Sequence, residues 1–489
     1  MFSKRPILLG GLGLSATLWL LDTIHFNFFD SSTLLSAIAL GSGIWWWRHL
    51  RGDQPQQRPV STKLPDRAAV DRAIATLETL VTSLEQESAS TLSTAQVALL
   101  PLSKFREQVQ ALQTGLERQA LSIGLLGDRN TGKTALLNHL QNGPEADSSP
   151  VRLSYQEFSL PEASADVPPD LALQDAVLFV TAGDLTESAF NVLKQRVLAG
   201  QRAVLAFNKQ DQYLPADRET VRQKLQQRVA ELPRPVEVAA IATAPRPIKV
   251  RRHQSDGRVE ESLEQVAPDV AALETALKKV ACDRTELVLS TTLRQAELLR
   301  QEVQTSLNGV RRERAMPLVE QLQWVAAATA FASPVPTLDL LATVAINGQL
   351  VMDLGKVYGF SFSLDEAKTA AGTLASLTVK LGLVELSTQA LTTVLKSHAA
   401  TYVAGGMVEG LSAAYLTRMA GLSLIEYFEE AALAGQSSSS LSLESIGQRL
   451  QALFQQNSQG ALLVRLVQQG LERLRPTPVD SPTLQSSQA

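Results

Sequence analysis

Two short stretches of this chain carry residue types at spacings that do chemistry. The first is Gly127-Asp128-Arg129-Asn130-Thr131-Gly132-Lys133-Thr134, with the spacing GxxxxGK[ST], followed by Ala135. Glycines in such a loop let backbone N–H groups wrap a phosphate chain at a helix N-terminus, where the helix dipole also favours an anion. Lys133 supplies a cation to the β- and γ-phosphates, and the Thr134 hydroxyl is the expected Mg²⁺ ligand. The second stretch is Asn208-Lys209-Gln210-Asp211. A carboxylate at Asp211 is an acceptor that matches the N1–H and 2-amino donors of guanine, and adenine offers neither. Asn208 can tie this loop to the phosphate loop, and the Lys209 stem can cover the ring face. The ligands expected are GTP or GDP with Mg²⁺. An ATP-using enzyme is disfavoured by Asp211.

Both stretches need elements to hold them. Ser122 to Leu126 reads as a short apolar strand running into the phosphate loop, and Ala135 to Leu140 as the helix after it. Ala203 to Phe207 reads as a buried parallel strand with Asn208 at its C-terminal end, where ligands bind in open parallel sheets. Ala176 to Val180 and Val236 to Ile241 read as two further strands. Thr243 and Ala244 follow the last of these, and their backbone N–H groups are candidates for the guanine O6.

The order GxxxxGK[ST], strand, NKxD resembles the translation-factor-related GTPases, most nearly the Era-like branch. The resemblance implies an α/β P-loop GTPase domain over residues 120–284, a mostly parallel sheet with flanking helices. It also implies that Asn130 is a candidate potassium ligand, although an asparagine there equally serves as a turn residue. Relatives of this kind carry a DxxG segment whose aspartate holds Mg²⁺ through water. No DxxG lies between Thr134 and Asp175. Gln156-Glu157-Phe158-Ser159-Leu160-Pro161 falls in its place, with Glu157 standing where the aspartate would be and no glycine after it. The stretch before Val151 is short for a first switch, and Ser148 and Ser149 are its only hydroxyls. No catalytic residue is assignable. Binding is better supported than hydrolysis, so the expectation is a slow GTPase or nucleotide-dependent switch. The alternative is a GTP-binding scaffold or membrane-remodelling protein with little or no hydrolysis.

The rest of the chain reads as an anchor and helices. Ile7 to Leu21 and Thr33 to Trp47 are apolar runs of about 15 residues each, short of the ~20 that span a bilayer core. Thr23, Ile24 and Phe26 extend the first, and Trp45, Trp46 and Trp47 suit an interface. Lys4, Arg5, Arg48 and Arg51 flank the pair, whereas Asp22 to Ser32 holds two aspartates and no Lys or Arg. By the positive-inside rule both ends face the cytoplasm. A transmembrane hairpin over residues 1–52 follows, making the chain an integral membrane protein with its bulk in the cytoplasm. A cleaved signal peptide is the competing reading, and the second apolar run argues against it. Residues 53–119 read as a linker and amphipathic helices, with stripes at Val70, Ile74, Leu77, Val81, Leu84 and at Phe105, Val109, Leu112, Leu116, broken near Pro101. A packed spacer is the simple account. Self-association through the stripe is the other.

Residues 285–434 show helical periods only: a charged helix from Leu293 to Glu313, an apolar one from Trp324 to Phe331, and others over Leu374 to Leu395 and Ala399 to Phe428. Gly382, Gly405, Gly406, Gly410 and Gly421 suit close helix packing. This all-α part resembles the helical domain of unknown function attached to some Era-like proteins, on Trp324, Pro334-Val335-Pro336 with Asp339, Val357-Tyr358-Gly359, and Ala413-Ala414-Tyr415 with Arg418. The combination is best known in membrane-anchored GTP-binding proteins of photosynthetic bacteria, and it transfers no active site. Asp339, Asp353 and Arg418 read as buried pairs or caps. Residues 435–489 read as a terminal helix and a disordered tail from Pro476. The 489 residues are 45% hydrophobic and 19% charged, with net charge −4. That charge supplies no field for nucleic acid. Cys282 is the single cysteine, which excludes a disulfide framework within the chain, and the five histidines show no metal-binding spacing. The partners expected are guanine nucleotide, membrane lipid and an unidentified protein effector.

The hairpin reading fixes an expected outcome. Protease added to right-side-out vesicles should spare the nucleotide domain, and its clean digestion from outside would overturn the topology.

Overall fold

The computed structural model describes residues 66–142, 151–160, 168–253, 259–332, 336–380, 382–397, 405–436, 442–457 and 464–469. The expected hairpin, Ser148, Ser149, the Pro334-Val335 step and the tail lie outside the described residues.

Five strands form one parallel sheet: β1 (Ala120–Gly127), β2 (Arg152–Glu157), β3 (Ala176–Thr181), β4 (Arg202–Phe207) and β5 (Glu237–Ala240), in the order β2-β1-β3-β4-β5. All six residues of β3 are buried. A strand covered by helices on both faces requires such continuous apolar character. Because side chains alternate across a strand, Leu178 and Val180 join one apolar layer with Leu121, Ile123, Leu125, Leu273 and Leu277. Val177 and Phe179 join the other with Leu126, Phe190, Leu205, Phe207 and Leu225. The flanking helices are α4 (Lys133–Asn142), α6 (Glu187–Leu198), α7 (Pro215–Ala230) and α8 (Ala271–Cys282), with a single turn, α5 (Pro169–Ala172), ahead of β3. The sheet with flanking helices expected from the sequence is therefore present. An antiparallel hairpin, β6 (Ile248–His253) with β7 (Val259–Glu264), was not expected. Its charge hid it: Arg251 pairs with Glu261 at 2.7 Å across the ladder, and a ribbon of alternating charges reads as a loop.

The helical part is organised by α9 (Arg284–Ala332), a helix of 49 residues. The sequence suggested separate helices at Leu293–Glu313 and Trp324–Phe331. They are one. Pro317 removes an N–H within it, but Ala315 and Val319 on either side are fully buried against α10 (Pro336–Tyr358) and α13 (Gly405–Leu433), and that packing holds the helix together. A Cβ at Gly421 would meet Val319 Cγ1 at 2.8 Å, so α9 and α13 approach as the glycine expectation requires. Gly382 departs from it. With φ at +64° it turns the chain between α11 (Leu364–Lys380) and α12 (Leu383–Ser397), which the sequence had suggested as one helix. A last helix, α14 (Leu443–Asn457), closes the bundle.

The amphipathic helices before the sheet, α1 (Arg67–Thr91), α2 (Thr94–Leu99) and α3 (Leu102–Gly115), do more than act as a spacer. Val70, Leu77 and Leu84 of α1 and Phe105 and Val109 of α3 pack on Leu299, Val303, Leu307 and Val310 of α9. Their stripe is thus covered by the chain's own helix. Glu87 receives Arg311 at 2.7 Å and Arg314 at 3.0 Å, joining α1 to α9. Among the described residues no single helix is long and apolar enough to cross a membrane.

This packing predicts that Leu77→Ala, at a fully buried position, costs ~2–5 kcal/mol in urea-induced unfolding of the helical part. A change below ~0.5 kcal/mol, ordinary for surface sites, would show that α1 is dispensable to the fold.

Candidate functional site

The phosphate-type loop leaves β1 at Gly127 and enters α4 at Lys133. Thr131 is buried and its hydroxyl donates to the Asp128 carbonyl at 2.9 Å. Asn130 is exposed and sits in the left-handed region, φ +61°, which asparagine tolerates better than most residues. Its turn role is therefore accounted for. Gly132 has φ +90°, and a Cβ there would meet Asn208 Nδ2 at 2.4 Å, so only glycine fits. Lys133 Nζ donates to the carbonyls of Gly127 at 2.9 Å and Asp128 at 2.8 Å, lying across the loop. Arg129 and Ala135 stand exposed at its rim.

Glu157, at the end of β2, lies opposite Leu125 in the parallel ladder, and Phe158 N–H continues the ladder to Leu125 O at 2.8 Å. This register brings the Glu157 carboxylate to Thr134: the hydroxyl donates to Oε2 at 3.0 Å and Oε1 at 3.3 Å. Two residues earlier, burial pushes the Tyr155 hydroxyl up to about 12. No group of three or more His, Cys, Asp or Glu side chains able to hold a metal occurs among the described residues.

The second stretch starts where β4 ends. Asn208 is 2% exposed. Its Nδ2 donates to Thr131 O at 2.9 Å, and its Oδ1 accepts from both the N–H and the hydroxyl of Thr243 at 3.1 Å. One side chain thereby joins the phosphate-type loop, the end of β4 and the loop after β5. Lys209, also left-handed at φ +61°, donates through Nζ to Asn130 O at 2.5 Å. Asp211 Oδ2 accepts Arg246 N–H at 3.1 Å, while its Oδ1 is buried and has no hydrogen-bond partner among the described residues. The Thr243 N–H is committed to Asn208, so Thr243 serves as a brace, and Ala244 beside it is exposed.

The residues of the two chemical stretches, with Glu157, Thr243 and Ala244, thus gather at the C-terminal end of the parallel sheet. Sequence reasoning missed their supports. Arg246 acts through its backbone, which no residue-type pattern reveals. Asp269 accepts from Gln210 Nε2 at 2.9 Å across nearly sixty residues of chain, and Tyr213 donates to Ala182 O at 2.9 Å. In the helical part, Asp353 accepts from Gln349 Nε2 at 2.8 Å in an exposed contact one turn apart, and Arg418 donates to Gln323 at 3.2 Å.

Residues 294–459 match a family described as a domain of unknown function, DUF697. The match runs from within α9 through α14 and agrees with the helical domain expected there. No curated protein matches the chain. Among solved structures, the crystal structure of a mutation variant of SsGBP is similar at 17% identity, over 44% of this chain and 70% of that one, with a TM-score of 0.23. So slight a likeness carries no argument.

Because Asn208 bonds three ways in a buried site, Asn208→Ala should destabilise the ligand-free chain by ~1–3 kcal/mol, read as a lower Tm. An unchanged Tm would overturn its role as the brace.

Proposed function

We propose that this chain is a membrane-tethered guanine-nucleotide-binding protein that works as a slow switch. The observation that carries the reading is Asp211 Oδ1, a carboxylate oxygen buried without a partner among the described residues, two positions after the Lys209 that reaches Asn130 O of the phosphate-type loop. A buried acceptor left unpaired is costly, and the guanine N1–H and 2-amino donors would satisfy it. The cradle fits the rest of the nucleotide. Lys133, now spent on two carbonyls of its own loop, is free to exchange them for β- and γ-phosphate oxygens. Thr134 and Glu157 stand together where Mg²⁺ would sit, with Glu157 taking the part of the DxxG aspartate. Ala244 is the remaining N–H candidate for O6. Potassium at Asn130 rests on the Era-like resemblance alone.

Bound Mg²⁺ would neutralise phosphate charge. The chain's own residues would bind the nucleotide and pin the loop, and among the described residues none is identified that would position a water. Slow turnover follows, since even a switch GTPase with its full set of parts is as slow as ~10⁻⁴ s⁻¹. A scaffold with no turnover is the second reading, favoured by the missing glycine after Glu157. Contact with the helical part supports a switch: Arg294 Nη2 on α9 donates to Gln174 O at 2.9 Å, and Gln295 Nε2 to Leu173 O at 3.2 Å, in the connection that follows Glu157. Membrane tethering rests on the two apolar runs before Arg51.

Nucleotide titration tests the reading. GTP should bind far more tightly than ATP, and Asp211→Asn should turn preference toward xanthine nucleotides, because the amide can donate to a 2-carbonyl. Equal affinity for GTP and ATP would sink it. Single-turnover assays separate the two variants of the proposal: slow hydrolysis abolished by Lys133→Ala marks the switch, and no hydrolysis marks the scaffold.

A further inference from the structure

The opposite pole of the sheet has its own charge problem. There the N-terminal edges of β1, β3, β4 and β5 bring Arg118, Asp175, Arg202 and Arg234 into a row. Arg196, near the end of α6, and Arg294 on α9 close over it. The chain's bonds tie this pole together: Gln174 O accepts from Arg294 Nη2 and from Gln201 Nε2, both at 2.9 Å, and Gln201 N–H donates to Arg196 O at 3.0 Å. Arg284 Nη1 reaches Arg118 O at 2.8 Å.

Asp283 stands 4.0 Å from Arg202 at the margin of the row; the buried carboxylate among these guanidinium groups is Asp175, and it is already saturated. Its Oδ1 takes Arg118 Nη2, and its Oδ2 takes Ser122 N–H at 2.8 Å and the Ser122 hydroxyl at 3.1 Å. Carbonyls solvate Arg294. The Arg196 guanidinium is half-buried, makes no side-chain hydrogen bond or ion pair among the described residues, and has its Nε shut away from water. Arg234 has one long contact, to Gly200 O at 3.5 Å. The electrostatics record the crowding. Burial, then repulsion from Arg196, Arg234 and Arg118, opposes the pull of Asp175 and brings the Arg294 guanidinium down to about 10. Burial also lowers Arg196.

Cations removed from water without partners are expensive, and the expense is met by an anion of matching shape. Guanidinium forks match phosphate oxygens in pairs. We propose that Arg118, Arg196, Arg234 and Arg294 form a second anion site, remote from the candidate nucleotide site, that takes a phosphate-type group, either free phosphate or the headgroup of a phospholipid.

The test uses the full chain in dodecyl maltoside carrying Lys133→Ala, which removes phosphate binding at the first loop and so separates this site from the nucleotide reading. Thermal unfolding is followed against inorganic phosphate, dihexanoyl phosphatidic acid and, as a zwitterionic control, dihexanoyl phosphatidylcholine. A ligand held only by the folded chain raises Tm, so phosphate or phosphatidic acid should raise it by several degrees and the control should not. Stabilisation by phosphate identifies a free anion, and stabilisation by phosphatidic acid alone identifies a lipid headgroup. Adding Arg196→Gln should weaken the apparent affinity at least tenfold without lowering the ligand-free Tm, because this guanidinium supports no other group; Arg234→Gln should do the same. No stabilisation by either anion, or an Arg196→Gln chain that responds like its parent, overturns the site.

Discussion

The two chemical stretches of this chain work together only because of one buried amide. Asn208 donates to Thr131 O with one end and accepts twice from Thr243 with the other. Each bond is worth about 1 kcal/mol net, but together they set the distance between the Gly127–Thr134 loop, the Asn208–Asp211 stretch and the loop beyond β5. The constraint reaches backward into the sequence. Gly132 must be glycine because the Asn208 amide fills the space of its Cβ. Asn130 and Lys209 accept left-handed backbone so that Lys209 Nζ can meet Asn130 O. A site made from three loops is in this way held as one object before any ligand arrives.

The sheet beneath provides the precision. Register in β3 is set by its two distinct cores, since a one-residue shift would exchange the Leu178–Val180 face for the Val177–Phe179 face. Register then places Glu157 beside Thr134 without any motif to announce it. A glutamate in place of an aspartate keeps the charge on a longer and looser arm, and no glycine follows it. The Thr134 hydroxyl donates to that carboxylate at 3.0 Å, so the longer arm still reaches the start of α4.

What was legible in the sequence follows from these physics. The phosphate loop and the Asn208–Asp211 stretch declared themselves because their chemistry depends on residue types at fixed spacing, and the inner strands because burial on both faces demands unbroken apolar runs. The hairpin at Ile248–Glu264 stayed hidden because its stability comes from cross-strand charge pairs, which only the partner strand reveals. The length of α9 stayed hidden behind Pro317, whose local penalty is overridden by distant contacts from α10 and α13. The elbow at Gly382 was misread as a packing glycine because the two uses cannot be told apart without a neighbour. Arg246 contributes a backbone N–H, and backbone leaves no trace in a residue pattern.

The unbroken α9 has a mechanical consequence. At ~1.5 Å per residue its 49 residues measure about 70 Å. Arg294 ties it to the connection after Glu157, α1, α10 and α13 pack along it, and Ala330 is still buried near its far end. From Arg294 to Ala332 the same rise gives about 57 Å, so a tilt of about 5° at that tie would carry the far end by roughly 5 Å. Because the neighbouring helices are packed on the same rod, such a tilt would have to be shared by the whole bundle.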